Sequence, residues 1–350
     1  LELLNIYLPI AEVTVNIAVV IALGIFTGII SGIFGLGGGI IVVPFITMLG
    51  IPVTTAVATS VGQMTAGSLA SLLTYSKMDK VDSKLGLFLI LGGFLGVALG
   101  NSLLTELLSQ QNADMTLSYI FMALILTVTL ASLCDAIKTI RRKEVSKKKL
   151  AILDSLPFKT RLKSLDEEVS PLPFILVGTI GGTMSMLLGV GGGFIMIPIL
   201  LYILHVREDY ISGSIQLQMF VASIISSLLY MKHGVQVDIV LLAILIFGIV
   251  IGARLGAKLG SKLSRRKYRV LLSCILTLMA MLMARNLLYP ITTEVLEQAK
   301  PNVDFQLKPA YEWLKSLIEH KPQVYTMFTI SFAIIAGLVA GKLKNGAKQH

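Results

Sequence analysis

Nine stretches of this chain are apolar for about twenty residues each, near 13–34, 56–76, 84–104, 117–138, 172–188, 210–230, 237–257, 268–288 and 323–341. A helix rises 1.5 Å per residue, so about twenty residues cross a hydrocarbon core roughly 30 Å thick. Each run therefore reads as a membrane-spanning helix. Two further apolar runs, 40–49 and 194–205, are too short to cross; each follows a glycine cluster and contains a proline, Pro44 or Pro198. They read as half-helices, each the second arm of a hairpin that enters the membrane and turns back. Of the 350 residues only 14% are charged, against about 25% in soluble domains. A cytosolic enzyme, a nucleic-acid-binding domain and a disordered regulator are excluded on that ground. The first run has Glu2 and Glu12 before it and no Lys or Arg, which does not read as a cleavable signal peptide. Cys134 and Cys274 lie inside apolar runs with no metal-ligand spacing and read as small apolar filler.

The basic residues orient the spans. The segment 138–163 carries ten Lys and Arg residues, from Lys138 and Arg141 to Arg161 and Lys163, and is placed in the cytoplasm. Counting spans outward from it, 77–84 (Lys77, Lys80, Lys84), 258–269 (including Lys258, Lys262, Arg265 and Arg266) and the tail with Lys342, Lys344 and Lys348 also fall inside. The N-terminus and 105–116, free of Lys and Arg, fall outside, as does the mixed-charge loop 289–322. The net charge of +10 is thus a topology signal and a contact for anionic lipid headgroups, with no nucleic acid as partner.

The chain also contains itself twice. Residues 35–44 read GLGGGIIVVP and 189–198 read GVGGGFIMIP, 154 positions on. At that offset Gly24 matches Gly178, Gly28 matches Gly182, Ser31 matches Ser185 and Ser60 matches Ser214; two positions further, Asp82 matches Asp238, and Gly96 and Gly100 match Gly252 and Gly256. Each copy is a hairpin plus three full crossings, an odd number, so the second copy is inverted in the membrane. The expected fold class is an all-α integral membrane protein of two inverted-topology repeats, each a broken-helix hairpin plus three transmembrane helices, with one extra C-terminal transmembrane helix. The expected divisions are a first repeat over 1–138, a basic cytoplasmic linker over 139–171, a second repeat over 172–288, an extracytoplasmic loop over 289–322, and a final helix and basic tail over 323–350. Inverted repeats of this kind are typical of secondary transporters, which hold substrate near mid-membrane where broken helices meet. The Gly96/Gly100 and Gly252/Gly256 pairs read as close helix packing.

The paired GxGGGxxxxP segments, the run AVATS at 56–60 and the Val-Asp pairs before 84–104 and 237–257 resemble the sulfite exporter TauE/SafE family. The resemblance covers both repeats. It implies an integral membrane transporter, with export the favoured direction, for a small sulfur-containing anion such as sulfite or an organosulfonate. The second copy departs at 210–214, where YISGS stands in place of AVATS.

The glycine clusters suit an anion on physical grounds as well. A helix beginning after Gly39 or Gly193 leaves its first N–H groups without intrahelical partners, and in hydrocarbon these must face protein, water or a ligand. Glycine lets an anion approach those amides, and the helix dipole favours negative charge there. The candidate substrate-binding residues are accordingly Gly37, Gly38 and Gly39 with Gly191, Gly192 and Gly193. Thr59, Ser60, Gln63, Ser214 and Gln218 are candidate side-chain donors, each also readable as an interhelical packing contact. Arg254 is a candidate for attracting anions at the inner mouth, or a residue that snorkels to the interface. Asp82 and Asp238 read as helix caps. No paired carboxylates, metal-binding cluster or nucleophile–base arrangement appears, so no catalytic residue, metal or cofactor is expected. An anion channel of the same architecture, a transporter of a non-sulfur anion, a cation transporter and a membrane enzyme stay open as alternatives. The oligomeric state is not readable.

Overall fold

The computed structural model describes residues 5–8, 13–109, 113–140, 159–165 and 168–263, with part of 271–281. The expected span 323–341, most of 268–288 and the loop 289–322 lie outside the described residues.

A short antiparallel ribbon, β1 (Asn5–Leu8) paired with β2 (Val13–Asn16), precedes the first helix. The first span is therefore shorter than its apolar run: β-branched Val13, Thr14 and Val15 extend, and α1 (Ile17–Phe34) begins where the Asn16 side chain accepts from the Ala18 N–H. Its C-terminus is closed by left-handed Gly35. There follow α2 (Gly39–Met48), α3 (Val53–Lys77), α4 (Ser83–Leu108) and α5 (Ala113–Ile140). A two-residue ribbon, β3 (Thr160–Arg161) with β4 (Glu168–Val169), leads into the second series. That series is α6 (Leu172–Leu188), α7 (Gly193–Pro198), α8 (Glu208–Lys232) and α9 (Ile239–Gly260). Pro198 donates no hydrogen bond and its ring crowds the turn before it, and the helix widens there into a π-helical stretch over Ile199–Ile203.

Both short helices are where the glycine–proline pattern puts them. Asp82 and Asp238 cap as expected, accepting from Lys84 and Leu85 and from Val240 and Leu241. Among the described residues, five helices are long and apolar enough to cross a membrane: α1, α4, the Ala113–Leu130 part of α5, α8 and α9. The 17-residue α6 is apolar but shorter. Helix α3 is long enough, yet its Thr, Ser and Gln residues leave it outside that group. Protein surrounds it, with Thr59, Ser60, Gln63, Ser68 and Ser71 all fully buried.

Glycine sets the closest helix pairs. A Cβ on Gly24 would sit 3.0 Å from Gly248 Cα, one on Gly28 2.9 Å from Gly252 Cα, and one on Gly32 2.7 Å from Ala257 N. Helices α1 and α9 therefore run parallel with backbones touching. Likewise α4 and α6 run parallel: a Cβ on Gly92 would meet Thr179 N at 2.7 Å, one on Gly96 Thr183 N at 2.7 Å, and one on Gly100 Met186 Cβ at 2.8 Å. The first helix of each series thus packs on the fourth helix of the other. Between these pairs α3 and α8 cross antiparallel, joined at Thr65 and Ser223, whose hydroxyls lie 3.0 Å apart.

Basic loops collect at one end. Lys80 pairs with Asp209 at 3.1 Å and donates to the Ser261 carbonyl, and Lys163 pairs with Asp79 at 2.6 Å. Asp82 accepts from the Ser164 N–H, and Arg207 donates its N–H to Ser164 O. At the opposite end Asp114 accepts from the Thr54 N–H and His233 meets Asn101 at 2.8 Å.

Candidate functional site

The two glycine turns touch. Left-handed Gly38, φ 81°, starts α2, and left-handed Gly192, φ 67°, starts α7; side chains rarely adopt this conformation. Gly39 packs against the Gly189 carbonyl and Gly193 against that of Gly35, reciprocal contacts that no side chain could enter. A Cβ on Gly191 would lie 3.4 Å from Gly37 Cα. The expected meeting of the hairpin tips is therefore present in this structure.

The tips are rich in unsatisfied donors. Every residue of 35–43 and 189–194 is buried. Yet the N–H groups of Leu36 to Ile40 and of Val190 to Phe194 find no acceptor among the described residues. A buried orphan donor costs about 1–3 kcal/mol, and five at each tip would together rival the stability of a whole domain, about 5–15 kcal/mol. Native folds keep such groups only with a partner, whether water, ion or ligand.

Two glutamines face the same shortage. Gln63 on α3 and Gln218 on α8 are fully buried, and neither amide nitrogen nor amide oxygen has a partner among the described residues. Gln63 Nε2 would lie 3.8 Å from a Cβ on Gly38, aimed at the start of α2. Gln218 Nε2 would lie 2.9 Å from a Cβ on Gly93 of α4. The buried hydroxyls of Ser31, Ser71, Ser185 and Ser226 likewise have no partner among the described residues. Ser31 and Ser185 lie in the last turns of the first helices of the two series; Gln63 with Ser71 and Gln218 with Ser226 repeat on α3 and α8.

The other predicted residues have protein partners. Ser60 donates to Gly189 O at 2.8 Å, and Thr59 donates back to Thr55 O. Ser214 exchanges hydrogen bonds with the Asp82 backbone at 3.1 and 3.3 Å. Ser60 and Ser214 are not equivalents, which corrects the 154-residue match. Val53 and Glu208 open α3 and α8, and Lys77 and Lys232 close them, each pair 155 positions apart. The same spacing pairs Gln63 with Gln218, Met64 with Met219 and Tyr75 with Tyr230. Those tyrosines hydrogen-bond the Gly32 and Met186 carbonyls. Arg254 is half-buried on α9, with no hydrogen bond or ion pair among the described residues.

Sequence reasoning missed the residues that fill the crossing. Met64 and Met219 press on both Gly37 and Gly191, so thioethers close one flank of the tips. Gln216 donates to Ser31 O at 3.0 Å. A methionine in a spanning helix gives no signal in sequence that it points at a distant turn. Away from the tips, a cavity of about 90 Å³ lies at the basic end, lined by Tyr75, Lys80, Asp209, Ser212 and Ser261 among others.

Residues 20–283 match the family described as Sulfite exporter TauE/SafE. The chain is 46% identical over 52 residues to a probable membrane transporter protein of Methanocaldococcus jannaschii, covering 15% of this chain and 20% of that relative. It is 25% identical over 234 residues to the probable membrane transporter protein YunE of Bacillus subtilis, covering 63% of this chain and 80% of that relative. It is 26% identical over 212 residues to a probable membrane transporter protein of Haemophilus influenzae, covering 60% and 70%. No solved structure matches the chain.

Proposed function

The chain belongs to the sulfite exporter TauE/SafE family, and we propose that it is a secondary transporter moving sulfite, an organosulfonate or a related small sulfur oxyanion out across the cytoplasmic membrane. The observation that carries this reading is the set of buried donors without a partner among the described residues: the backbone N–H groups beside Gly38 and Gly192 at the touching tips, the Gln63 amide facing Gly38, and the Gln218 amide over Gly93 of α4. These are the neutral, pre-positioned donors an oxyanion needs, and they hold it without a buried cation. Gly37, Gly38, Gly39, Gly191, Gly192 and Gly193 shape the tips, while Thr59, Ser60 and Ser214 position the helices around them. Arg254 would act at the inner mouth, raising the local anion concentration.

Two inverted repeats moving against each other are the mechanism this reading implies. Support comes from the exchanged packing, α1 on α9 and α4 on α6, which gives each series a surface on the other. With thioethers over the tips and backbones in contact, the conformation described is closed around its donors. The ion pairs of Lys80 and Lys163 lie at the end that the charge rule puts in the cytoplasm, with the N-terminus outside. Opening there would release Lys80 from Asp209 and Ser261.

Flux into proteoliposomes tests the function, with sulfite, sulfate, thiosulfate, taurine and sulfoacetate compared side by side. Saturable uptake of at least one sulfur oxyanion, without single-channel conductance, is the expected result. Unsaturable flux with resolved conductance steps would establish a channel instead. Indifference to all five anions would remove the sulfur assignment.

A further inference from the structure

The two halves do not offer their donors equal room. Beside Gln63, the Ile249 side chain closes the space: its Cδ1 would lie 3.4 Å from a Cβ on Gly38 and 2.8 Å from one on Gly67. Ile249 is fully buried, and its branched Cβ stiffens the side chain. Thr27 Cβ would approach the same Gly38 position to 3.8 Å.

The corresponding residues in the other half are glycines. Gly92, Gly96 and Gly100 do on α4 what Gly248, Gly252 and Gly256 do on α9, always 156 positions apart, so the counterpart of Ile249 is Gly93. The 154-residue spacing that relates the glycines of α1 and α6 makes Gly181 the counterpart of Thr27. Over Gly93 lies the Gln218 amide itself, and over Gly181 the thioether of Met196. The Gln218 side is therefore lined by flexible atoms that can yield. The Gln63 side is lined by a stiff aliphatic wall.

We propose that Ile249 is a size filter: it confines the donors at Gly38 and Gln63 to a compact oxyanion head and rejects an anion carrying an extended organic tail. This rests on the function proposed above and narrows its substrate class to sulfite and the shortest sulfonates. A wall of this kind discriminates by volume, and methylene-sized differences in an apolar contact are worth about 10–200-fold in selectivity.

The test is uptake of sulfite and of straight-chain alkanesulfonates, from methanesulfonate to hexanesulfonate, by reconstituted wild type, Ile249→Ala and Ile249→Val. Wild type should fall off sharply after the shortest members. Ile249→Ala should keep sulfite flux and raise the hexanesulfonate-to-sulfite ratio about tenfold or more. Ile249→Val, which leaves a smaller hole and folds if alanine does not, should move the cut-off outward by a shorter step. An unchanged cut-off in a variant that still carries sulfite would overturn the filter. If wild type refuses sulfur anions but carries carboxylates, the sulfur reading fails. The same series from formate to hexanoate then reads the filter independently.

Discussion

The Ser60 hydroxyl donates to the Gly189 carbonyl across 2.8 Å, joining the third helix of one series to the hairpin turn of the other. Both groups are buried, so the bond fixes how far one tip advances past its neighbour. Removing the hydroxyl strands that carbonyl in an apolar site, at about 1–3 kcal/mol. Ser60→Ala should therefore unfold several degrees below wild type in detergent. A melting temperature equal to wild type would show that the tips are held by glycine packing alone.

Gln63 and Gln218 should behave in the opposite way. Their amides bond no group among the described residues, so truncation removes a desolvation penalty as well as packing volume. Gln63→Ala and Gln218→Ala are expected to melt close to wild type while apparent KM rises several-fold, because only the bound anion loses a donor. Unchanged saturation curves would demote both to packing residues.

Gly38→Val should abolish transport and leave membrane insertion intact. Its φ of 81° is strained for valine, and the new side chain would point at the Gln63 amide. Gly192→Val meets the backbone of Gly181 as well and should be at least as damaging. Normal flux in either variant, measured at matched membrane abundance, would remove the tip amides from the site.

Asp82 tests the cation-transporter alternative. Its carboxylate accepts from Lys84, Leu85 and Ser164 N–H groups, so it caps α4 and ties the connecting segment to the bundle. Asp82→Ala should cost stability, about 0.5–2 kcal/mol for the cap with more for Ser164. Anion KM should stay unchanged in the fraction that folds. A well-folded variant that loses coupling to a cation would contradict a purely structural role.

Much of this arrangement is written locally in the chain. Asp82 and Asp238 stand directly before apolar runs, so their capping follows from residue type and position alone. Gly38 and Gly192 announce the turns, and Pro44 and Pro198 mark the short helices. Contacts made across the fold leave no local trace. That Ser60 reaches Gly189, or that Ile249 rather than a smaller residue lies over Gly67, depends on how α3, α8 and α9 cross. The repeat register illustrates the same limit: matching Ser60 with Ser214 aligned two hydroxyls, whereas the helix ends align Gln63 with Gln218. In one dimension helix α3 reads as one membrane span among nine, with Thr59, Ser60 and Gln63 as candidate donors or packing contacts. Only its surroundings explain why a helix with Gln63 and six buried Ser and Thr residues lies in the centre.

The central claim is that the buried donors at the tips hold an oxyanion, and anomalous diffraction from protein crystallised with selenite, the heavier analogue of sulfite, measures it directly. The account predicts a selenium peak within hydrogen-bond reach of the Gln63 or Gln218 amide and the adjoining tip N–H groups, lost in the Gln63→Ala/Gln218→Ala double variant. Selenium found only beside surface lysines and arginines, in a protein that still transports sulfite, would contradict it.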